Sequence, residues 1–368
     1  MSKVAKKKGR HRKKAFLQET VEQEEDVPKS PIAQKGGKSP NRKKRQPPPE
    51  IAEGLDKFFD YISELGVGGI KKLYNETLSA YRAPDNLYKY AEFEKNKDKN
   101  RFLDVVCLDH SRVVLTLDVP PCTNYIHANW VRFDKHDRVF IATQAPLENT
   151  REDFWRMVFQ EQCSSIINLT SEIDDTDRMV RYFPAKPGDF TNYGKMFVNT
   201  KKVEDENKFL VYTVEVLPDG CSNSHLLNLI KPKDDSGKPS TTMILRMLRI
   251  VASSEKMTNG PVVVHCVSGV GRAGTVILID VILQRLFTNQ LPVDLAEIFR
   301  LLRNQRASCL QREAQFLFVV ASVVDYIGTR YPSRYRQKRD KFKEDFKTTV
   351  AGNAAKKASR EIVKPVEN

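Results

Sequence analysis

The sequence predicts an α/β protein in which a buried β-sheet is flanked by helices. The β-branched run Val262–Val264 is typical of a buried strand, and a glycine-rich loop separates it from the apolar run Thr275–Leu283, which suits a buried helix. A second run, Ile166–Thr170, predicts another buried strand. Closer to the N-terminus, apolar residues recur at helical spacing from Leu55 to Leu65, and Gly66 and Gly68 end this predicted helix. Strands and helices that alternate in this way are typical of the class.

Charge divides the chain into three parts. The 368 residues carry a formal net charge of +14 at pH 7. Residues 1–50 hold 15 basic and 6 acidic side chains, and residues 333–368 hold 11 and 5, which leaves 51–332 close to neutral. We expect a disordered basic tail over 1–50, a folded domain over 51–332, and a second basic tail over 333–368 that frays beyond Pro332. The near-neutral middle argues against a nucleic-acid-binding protein, which the tails alone would suggest.

Two basic blocks lie in the N-terminal tail: Lys6–Lys8 with Arg10–Lys14 form the first, and Arg42–Arg45 form the second. Such blocks are typical of nuclear import signals or of patches that contact anionic surfaces. A solvated tail without a dedicated partner would have the same composition, and the sequence leaves both hypotheses open.

The cysteines indicate the cellular setting. There are six, scattered without a CxxC pair or metal-ligand spacing, at Cys107, Cys122, Cys163, Cys221, Cys266 and Cys309. The first residues hold no apolar signal segment, and no uncharged apolar run is long enough to span a bilayer. These features indicate a protein without a transmembrane segment in a reducing intracellular setting, cytoplasmic or nuclear. We also expect a monomer without a bound metal or cofactor.

The candidate chemistry lies in the loop that follows Val262–Val264. His265 and Cys266 precede it and Arg272 ends it; we call residues 267–272 the glycine loop. A loop between a strand and a helix N-terminus points backbone N–H groups at one spot, where the helix adds positive potential suited to an oxyanion. A cysteine in that field is expected to form a thiolate nucleophile readily. The planar guanidinium of Arg272 matches two phosphate oxygens at once.

Two other interpretations of this loop are possible. Gly269, Gly271 and Gly274 also fit the G-x-G-x-x-G fingerprint of dinucleotide-binding proteins, and Asp294 lies near the expected distance for a ribose ligand. Asp294 is predicted to open a helix rather than to end a strand, which argues against that interpretation. An inert buried cysteine in a turn is the second alternative. It leaves the spacing of the glycines and Arg272 unexplained.

The motif His265-Cys266-x5-Arg272, with its three glycines, resembles the signature of the tyrosine-specific protein tyrosine phosphatases. A second segment, Lys99–Val105, is similar to that family's substrate loop, K-N-R-Y-x-D-V, and we give it the same name here. Phe102 occupies the position of the tyrosine that stacks on the phosphotyrosine ring, and a phenyl face can stack equally. Asp104 matches the residue that holds the backbone of the substrate peptide. An ordinary core aromatic is the alternative role for Phe102.

Further segments match the family in the family's order, over residues 51–330. They are Tyr125–Trp130, Phe140–Leu147, Asp153–Val158, Arg178–Pro184 and Cys309–Phe316. The resemblance implies the Cys-based protein tyrosine phosphatase fold, a twisted mixed β-sheet flanked by helices. In the last segment, which we call the glutamine loop, Gln311 and Gln315 match the two glutamines that place the hydrolytic water.

The chain departs from the family pattern at two places. The family's W-P-D-x-G-V-P acid loop corresponds to residues 233–239, where Gly237 and Pro239 place Asp235 at the position of the acid. Lys233 and Asp234 replace the tryptophan and proline, so closure of this loop is expected to be impaired. A solvated turn without a catalytic role is the alternative. The second departure is Ala273, which replaces a Ser or Thr whose hydroxyl helps the cysteine leave as thiolate.

The resemblance implies hydrolysis of phosphotyrosine in proteins through a cysteinyl-phosphate intermediate, without metal or cofactor. Cys266 is the expected nucleophile, Asp235 the acid, and His265 the residue that orients the loop. The phosphate is expected to be held by Arg272 and by the backbone N–H groups of Val267, Ser268, Gly269, Val270, Gly271 and Arg272. The alternative, supported by the two departures, is a weakly active or inactive pseudophosphatase that binds phosphotyrosine proteins.

Overall fold

A computed structural model describes residues 46–118, 123–171, 179–233, 240–254, 259–288, 290 and 293–362. Nine strands lie within these residues: β1 Arg112–Val114, β2 Tyr125–Val131, β3 Phe140–Gln144, β4 Ser165–Asn168, β5 Phe190–Tyr193, β6 Met196–Asp205, β7 Phe209–Pro218, β8 His225–Pro232 and β9 Val262–Cys266. They form one sheet in the order β1-β2-β3-β9-β4-β8-β7-β6-β5.

The centre of the sheet is parallel and its two sides are antiparallel. β9 pairs in parallel with β3 on one side and with β4 on the other, and β4 pairs in parallel with β8. The pairs β1–β2, β2–β3, β5–β6, β6–β7 and β7–β8 are antiparallel. The sheet is therefore mixed, and the predicted α/β fold class is confirmed.

Helices flank this sheet. In the described residues they are α1 Pro49–Leu73, α2 Ala91–Lys95, α3 Arg151–Gln160, α4 Thr241–Ser254, α5 Gly271–Phe287, α6 Leu295–Gln305, α7 Glu313–Arg330 and α8 Pro332–Ile362. Helix α1 is kinked at Gly66, whose φ of 59° is favourable only for glycine, and a π-helical turn, Tyr74–Leu78, continues it. None of these helices combines the length and the apolar character needed to cross a membrane.

The sheet separates two hydrophobic cores. Successive residues of a strand point to opposite faces, so Val262 and Val264 pack into the core that contains α5 and α7, while Val263 packs into the core that contains α3. All three valines are almost completely buried. Both faces of β9 are therefore covered, which fixes the position of the residues at its carboxyl end.

The expectation that the chain frays beyond Pro332 is wrong. Helix α8 begins at Pro332, and its side chains Tyr335 and Phe342 are buried in the core against α1 and α7. Ring stacking of Tyr335 on Phe59, with centroids 4.5 Å apart, joins α8 to α1. Residues 1–45 and 363–368 lie outside the described residues, so the prediction for the N-terminal tail stays a prediction.

Candidate active site

Strand β9 delivers Cys266 to the carboxyl end of the sheet, and the glycine loop turns there into α5. Gly269 has a φ of +72°, and a Cβ built on it would lie 2.1 Å from the carbonyl oxygen of Thr143. Both the backbone conformation and the close approach to β3 thus require glycine. The loop consequently curls back over the end of the strand.

The curl brings a backbone donor to the cysteine. The N–H of Gly269 donates to Cys266 Sγ at 3.3 Å, and Cys266 is 3% exposed. Helix α5 begins at Gly271, and no side chain of the described residues caps it at Val270. The first N–H groups of a helix have no partner within the helix, so they remain available to an anion beside Sγ.

Arg272 is fixed in the first turn of α5. Its Nη1 donates to the carbonyl oxygen of Leu169 at 2.7 Å, just beyond β4. The N–H of Leu169 in turn donates to the carbonyl of His265 at 2.8 Å. The guanidinium is therefore tied to the carboxyl edge of the sheet that also carries Cys266.

His265 lies behind the cysteine in the core that contains α3. Its Nε2 lies 2.7 Å from the hydroxyl of Tyr182, and Phe154 packs against the imidazole edge. Burial, aided by the positive charge of Arg272, lowers the pKa of His265 to about 3, despite an opposing interaction with the Cys266 backbone. The imidazole is therefore neutral at physiological pH, and its Nε2 is hydrogen-bonded to the Tyr182 hydroxyl.

The substrate loop is anchored beside the cysteine through Gln144, which pairs with Cys266 across β3 and β9. Gln144 Oε1 accepts from the N–H of Arg101 at 2.9 Å, and Gln144 Nε2 donates to the carbonyl of Lys99 at 2.9 Å. Phe102 is half-buried and packs against the main core, while Asp104 is exposed on the following turn. The two predicted substrate contacts thus lie on a loop that is bound to the neighbouring strand.

The glutamine loop is joined to the glycine loop by a hydrogen bond from the N–H of Leu310 to the carbonyl of Val270, 3.1 Å long. Gln315 reaches the start of α5: a Cβ on Gly271 would lie 2.5 Å from Gln315 Nε2. Gln311 is exposed and lines an adjacent cavity of about 310 Å³. The structure thus brings Gln315 to the start of α5, whereas Gln311 faces a cavity that Tyr81, Arg82 and Arg303 also line.

A buried arginine that the sequence analysis did not single out supports the glycine loop. Arg306 is 0% exposed and donates to the carbonyls of Ser268 and Gly269 at 3.1 and 3.2 Å. It also donates to Asn129 Oδ1 and to Nδ1 of His127, on β2. The sequence offered little signal for this role, because Arg306 directly follows the end of α6 in an extended conformation, outside the helical pattern.

His127 completes this support. A guanidinium can only donate, so His127 Nδ1 accepts and Nε2–H donates to the carbonyl of Val105 at 2.7 Å. Burial, aided by the charge of Arg306, lowers the pKa of His127 to about 3. The neutral imidazole therefore connects the end of the substrate loop to the arginine that holds the glycine loop.

Three other thiols are buried in the described residues. Burial raises the pKa of Cys107 to about 11 and that of Cys309 to about 12, and it raises the pKa of Cys163 as well. These side chains are protonated at neutral pH, as expected for ordinary core residues.

The predicted acid, Asp235, lies outside the described residues, as does Asp234. Lys233, which stands where the family has tryptophan, is described. Its ammonium group forms an ion pair with Asp205, and its N–H donates to the carbonyl of Lys208 at 3.0 Å. The first residue of the acid loop is therefore tied to the turn between β6 and β7.

Ala273 and Asp294 lie at the starts of two different helices. Ala273 is completely buried in the first turn of α5 and brings no hydroxyl to the site. Asp294 caps α6, where its carboxylate accepts from the N–H groups of Ala296 and Glu297. The capping role agrees with the predicted helix start and contradicts the dinucleotide hypothesis, which required a ribose ligand at the end of a strand.

Comparison with known proteins agrees with this geometry. The sequence profile of the family described as protein-tyrosine phosphatase matches residues 96–325. Receptor-type tyrosine-protein phosphatase F of Danio rerio is 30% identical over 300 residues, which are 79% of this chain and 15% of that protein. Receptor-type tyrosine-protein phosphatase epsilon of Homo sapiens is 34% identical over 249 residues, 65% of this chain and 35% of that protein.

The chain thus spans about a third or less of the length of these relatives. The profile match includes the substrate loop, the glycine loop and the glutamine loop, and α1 and α8 lie outside it. The chain belongs to the protein-tyrosine phosphatase family.

Proposed function

We propose that this protein hydrolyses phosphotyrosine in proteins through a cysteinyl-phosphate intermediate. The observation that carries the proposal is the hydrogen bond from the Gly269 N–H to Cys266 Sγ, at the uncapped start of α5. A sulfur nucleophile thereby lies beside a set of donors suited to the oxygens of a phosphoryl group. Membership of the family supports the same reaction.

In the first step, the thiolate of Cys266 attacks phosphorus in line with the leaving phenol oxygen. The S–P bond forms as the P–O bond to the phenol breaks. The backbone N–H groups of the glycine loop and the Arg272 guanidinium hold the three equatorial oxygens and stabilise the charge there. Asp235 is the proposed donor of the proton that the phenolate takes up.

In the second step, water attacks the cysteinyl-phosphate and releases inorganic phosphate. Asp235, now a carboxylate, accepts a proton from this water. Gln315 is the first proposed water ligand, because its amide reaches the start of α5. Gln311 is the second proposed water ligand. His265 is proposed to hold the end of β9 in place as a neutral imidazole.

The competing hypothesis is a phosphotyrosine-binding protein with little or no turnover. It is supported by Ala273, which brings no hydroxyl to the cysteine, and by the Lys233–Asp205 ion pair at the first residue of the acid loop. Neither feature removes the nucleophile or the phosphate donors. We therefore favour the enzyme, with reduced activity as the expected consequence of the two substitutions.

Replacement of Cys266 tests the proposal. We expect Cys266→Ser to lower turnover of a small aryl phosphate by roughly 10³-fold or more, while phosphotyrosine-peptide affinity stays within about threefold because the phosphate donors remain. The exposed Cys221 offers a matched control, since Cys221→Ser leaves the site intact. Turnover by Cys266→Ser at the parent rate would contradict the proposed nucleophile. An unmodified chain that binds the peptide without turnover would support the binding protein instead.

We also propose that the protein acts as a monomer inside the cell, in the cytoplasm or nucleus, with the basic tails contacting anionic surfaces or import factors. The blocks Lys6–Lys8, Arg10–Lys14 and Arg42–Arg45 support this proposal. Removal of residues 1–50 should change the distribution of a fluorescent fusion and leave aryl phosphate turnover unchanged. The same distribution with and without these residues would contradict the role of the tail.

A further inference from the structure

The substrate loop presents an unusual apolar group to solvent. Leu103 is 68% exposed, more than any other large apolar side chain in the part of the chain that the structure describes. It lies between Phe102, proposed to stack on the phosphotyrosine ring, and Asp104, proposed to hold the peptide backbone. With the proposed roles of Phe102 and Asp104, a residue next to the phosphotyrosine is expected to pass close to Leu103.

The cations of the same loop face inward. Lys99 is 13% exposed at its side chain, and its ammonium group donates to Asp153 and Thr123. The guanidinium of Arg101 donates to the carbonyl of Pro146 at 2.9 Å and to that of Ala145 at 3.3 Å. Because both charges are used to anchor the loop, they are poorly placed to meet acidic residues of a peptide.

The loop exposes Leu103 and Asp104 instead, and these two side chains favour apolar over acidic residues beside the phosphotyrosine. A bound peptide that covers the exposed leucine with apolar surface forms a more stable complex. The carboxylate of Asp104 repels an acidic neighbour and tolerates an apolar one. Both effects disfavour acidic flanking residues.

We propose that Leu103 is a specificity-determining residue that selects phosphotyrosine sites flanked by aliphatic or aromatic residues over sites flanked by acidic ones. This inference rests on the proposed function, because it assumes that the phosphotyrosine enters beside Cys266. It adds a substrate class to that function. It concerns recognition alone, and so it applies equally if turnover is slow.

Affinity for two phosphopeptides tests it. The peptides are identical except that the residues on both sides of the phosphotyrosine are leucine in one and glutamate in the other. Dissociation constants are measured at physiological ionic strength, which limits long-range attraction to the basic chain, and in the Cys266→Ser background, so that turnover does not interfere. Leu103→Arg is compared with Phe190→Arg, which adds the same charge at a residue 61% exposed on the edge strand β5.

We expect the leucine peptide to bind about five- to tenfold more tightly than the glutamate peptide. Leu103→Arg should bring this ratio to about one or below, whereas Phe190→Arg should leave it within about twofold of its starting value. Equal affinity for both peptides, tighter binding of the glutamate peptide, or equal effects of the two arginine variants would overturn the inference. Failure of the proposed function is distinguishable, because it would appear as loss of binding to both peptides or as absent aryl phosphate turnover by the unmodified chain.

Discussion

Asp235 is the residue on which the proposed chemistry depends most, and its effect should vary with the leaving group. A tyrosine phenol has a pKa near 10, so its oxygen needs a proton as the P–O bond breaks. An activated aryl phosphate with an acidic phenol needs much less help. General acid assistance is typically worth about 10²–10⁴-fold. Asp235→Ala should therefore slow phosphotyrosine hydrolysis far more than hydrolysis of the activated ester, as measured by kcat on the two substrates.

The neighbouring residue supplies the control for this prediction. Asp234→Ala should have the smaller effect, because Gly237 and Pro239 set a register in which Asp234 lies one position away from the acid. Replacing Lys233-Asp234 by Trp-Pro should raise kcat for phosphotyrosine if impaired closure of the acid loop limits turnover. Equal slowing of both substrates by Asp235→Ala would exclude it as the acid. If Asp234→Ala instead slows phosphotyrosine hydrolysis more than hydrolysis of the activated ester, Asp234 is the acid and Asp235 is not.

At the scale of single residues, the sequence pattern predicted the arrangement of residues that are close in sequence. It did not predict contacts between residues that are distant in sequence. The pattern from His265 to Arg272 predicted a tight loop between a buried strand and a helix, which the structure places between β9 and α5. The buried Arg306 reaches Gly269 of the glycine loop from 37 residues away, and the hydroxyl of Tyr182 reaches His265 on β9 from 83 residues away. Such contacts depend on tertiary packing, which periodicity in one segment does not specify.

Among the elements, α1 and the π-helical turn after it support the glutamine loop from outside the part of the chain that matches the family profile. The hydroxyl of Tyr74 donates to the carbonyl of Leu310 at 2.8 Å. Asn75 Nδ2 donates to the carboxylate of Glu313 at 2.5 Å, and Lys71 pairs with the same carboxylate at 3.2 Å. These contacts hold both ends of the segment that contains Gln311.

Loss of this support should slow the second chemical step more than the first. Tyr74→Phe removes the hydroxyl but keeps the ring contacts with Phe299 and Phe316. We expect hydrolysis of the cysteinyl-phosphate to slow by about threefold to tenfold, because one hydrogen bond contributes about 1 kcal/mol. Rapid mixing with an activated aryl phosphate separates the steps: the burst of phenol should keep its rate, and the steady-state rate should fall.

Tyr81→Phe is the matched control for this element. The hydroxyl of Tyr81 donates to Asn304 Oδ1 at 2.8 Å, so its removal costs a similar bond between the same N-terminal segment and α6. Because this bond does not reach the glutamine loop, the two steps should keep their ratio. A Tyr74→Phe chain in which both steps slow equally, or in which neither changes, would show that the contact serves folding alone.

Prediction of the elements succeeded where apolar residues recur at helical spacing, as in α1, and where they form a continuous run, as in β9 and α5. It failed at α8, because the composition there is basic and most of the side chains described over residues 332–349 are exposed. The spacing was informative nevertheless: Tyr335, Phe342 and Phe346 recur at intervals of seven and four residues and lie on one face of α8. That single apolar stripe joins α8 to the core.

For the molecule as a whole, the lowered pKa values of His127 and His265 should make folding stability depend on pH. Burial holds the pKa of both His127 and His265 at about 3 in the folded protein, whereas a histidine in an unfolded chain titrates near 6.5. Between these values the unfolded state binds more protons than the folded state. Stability should therefore fall as the pH is lowered from about 6.5 towards 3, and the loss for each histidine is at most about 1.4 kcal/mol per pH unit.

The variant His127→Asn separates one histidine from the other. An asparagine can still accept from Arg306, and it does not titrate. We expect the free energy of unfolding in urea to fall with decreasing pH between 6.5 and 5 in the unmodified chain, and to fall about half as steeply in His127→Asn. Burial would raise the pKa of Asp280, but Arg138 and His136 outweigh it and hold this pKa at about 2, so Asp280 stays ionised throughout this range. Equal slopes in the two proteins would mean that His127 takes up its proton without unfolding, which the donated hydrogen bonds of Arg306 oppose.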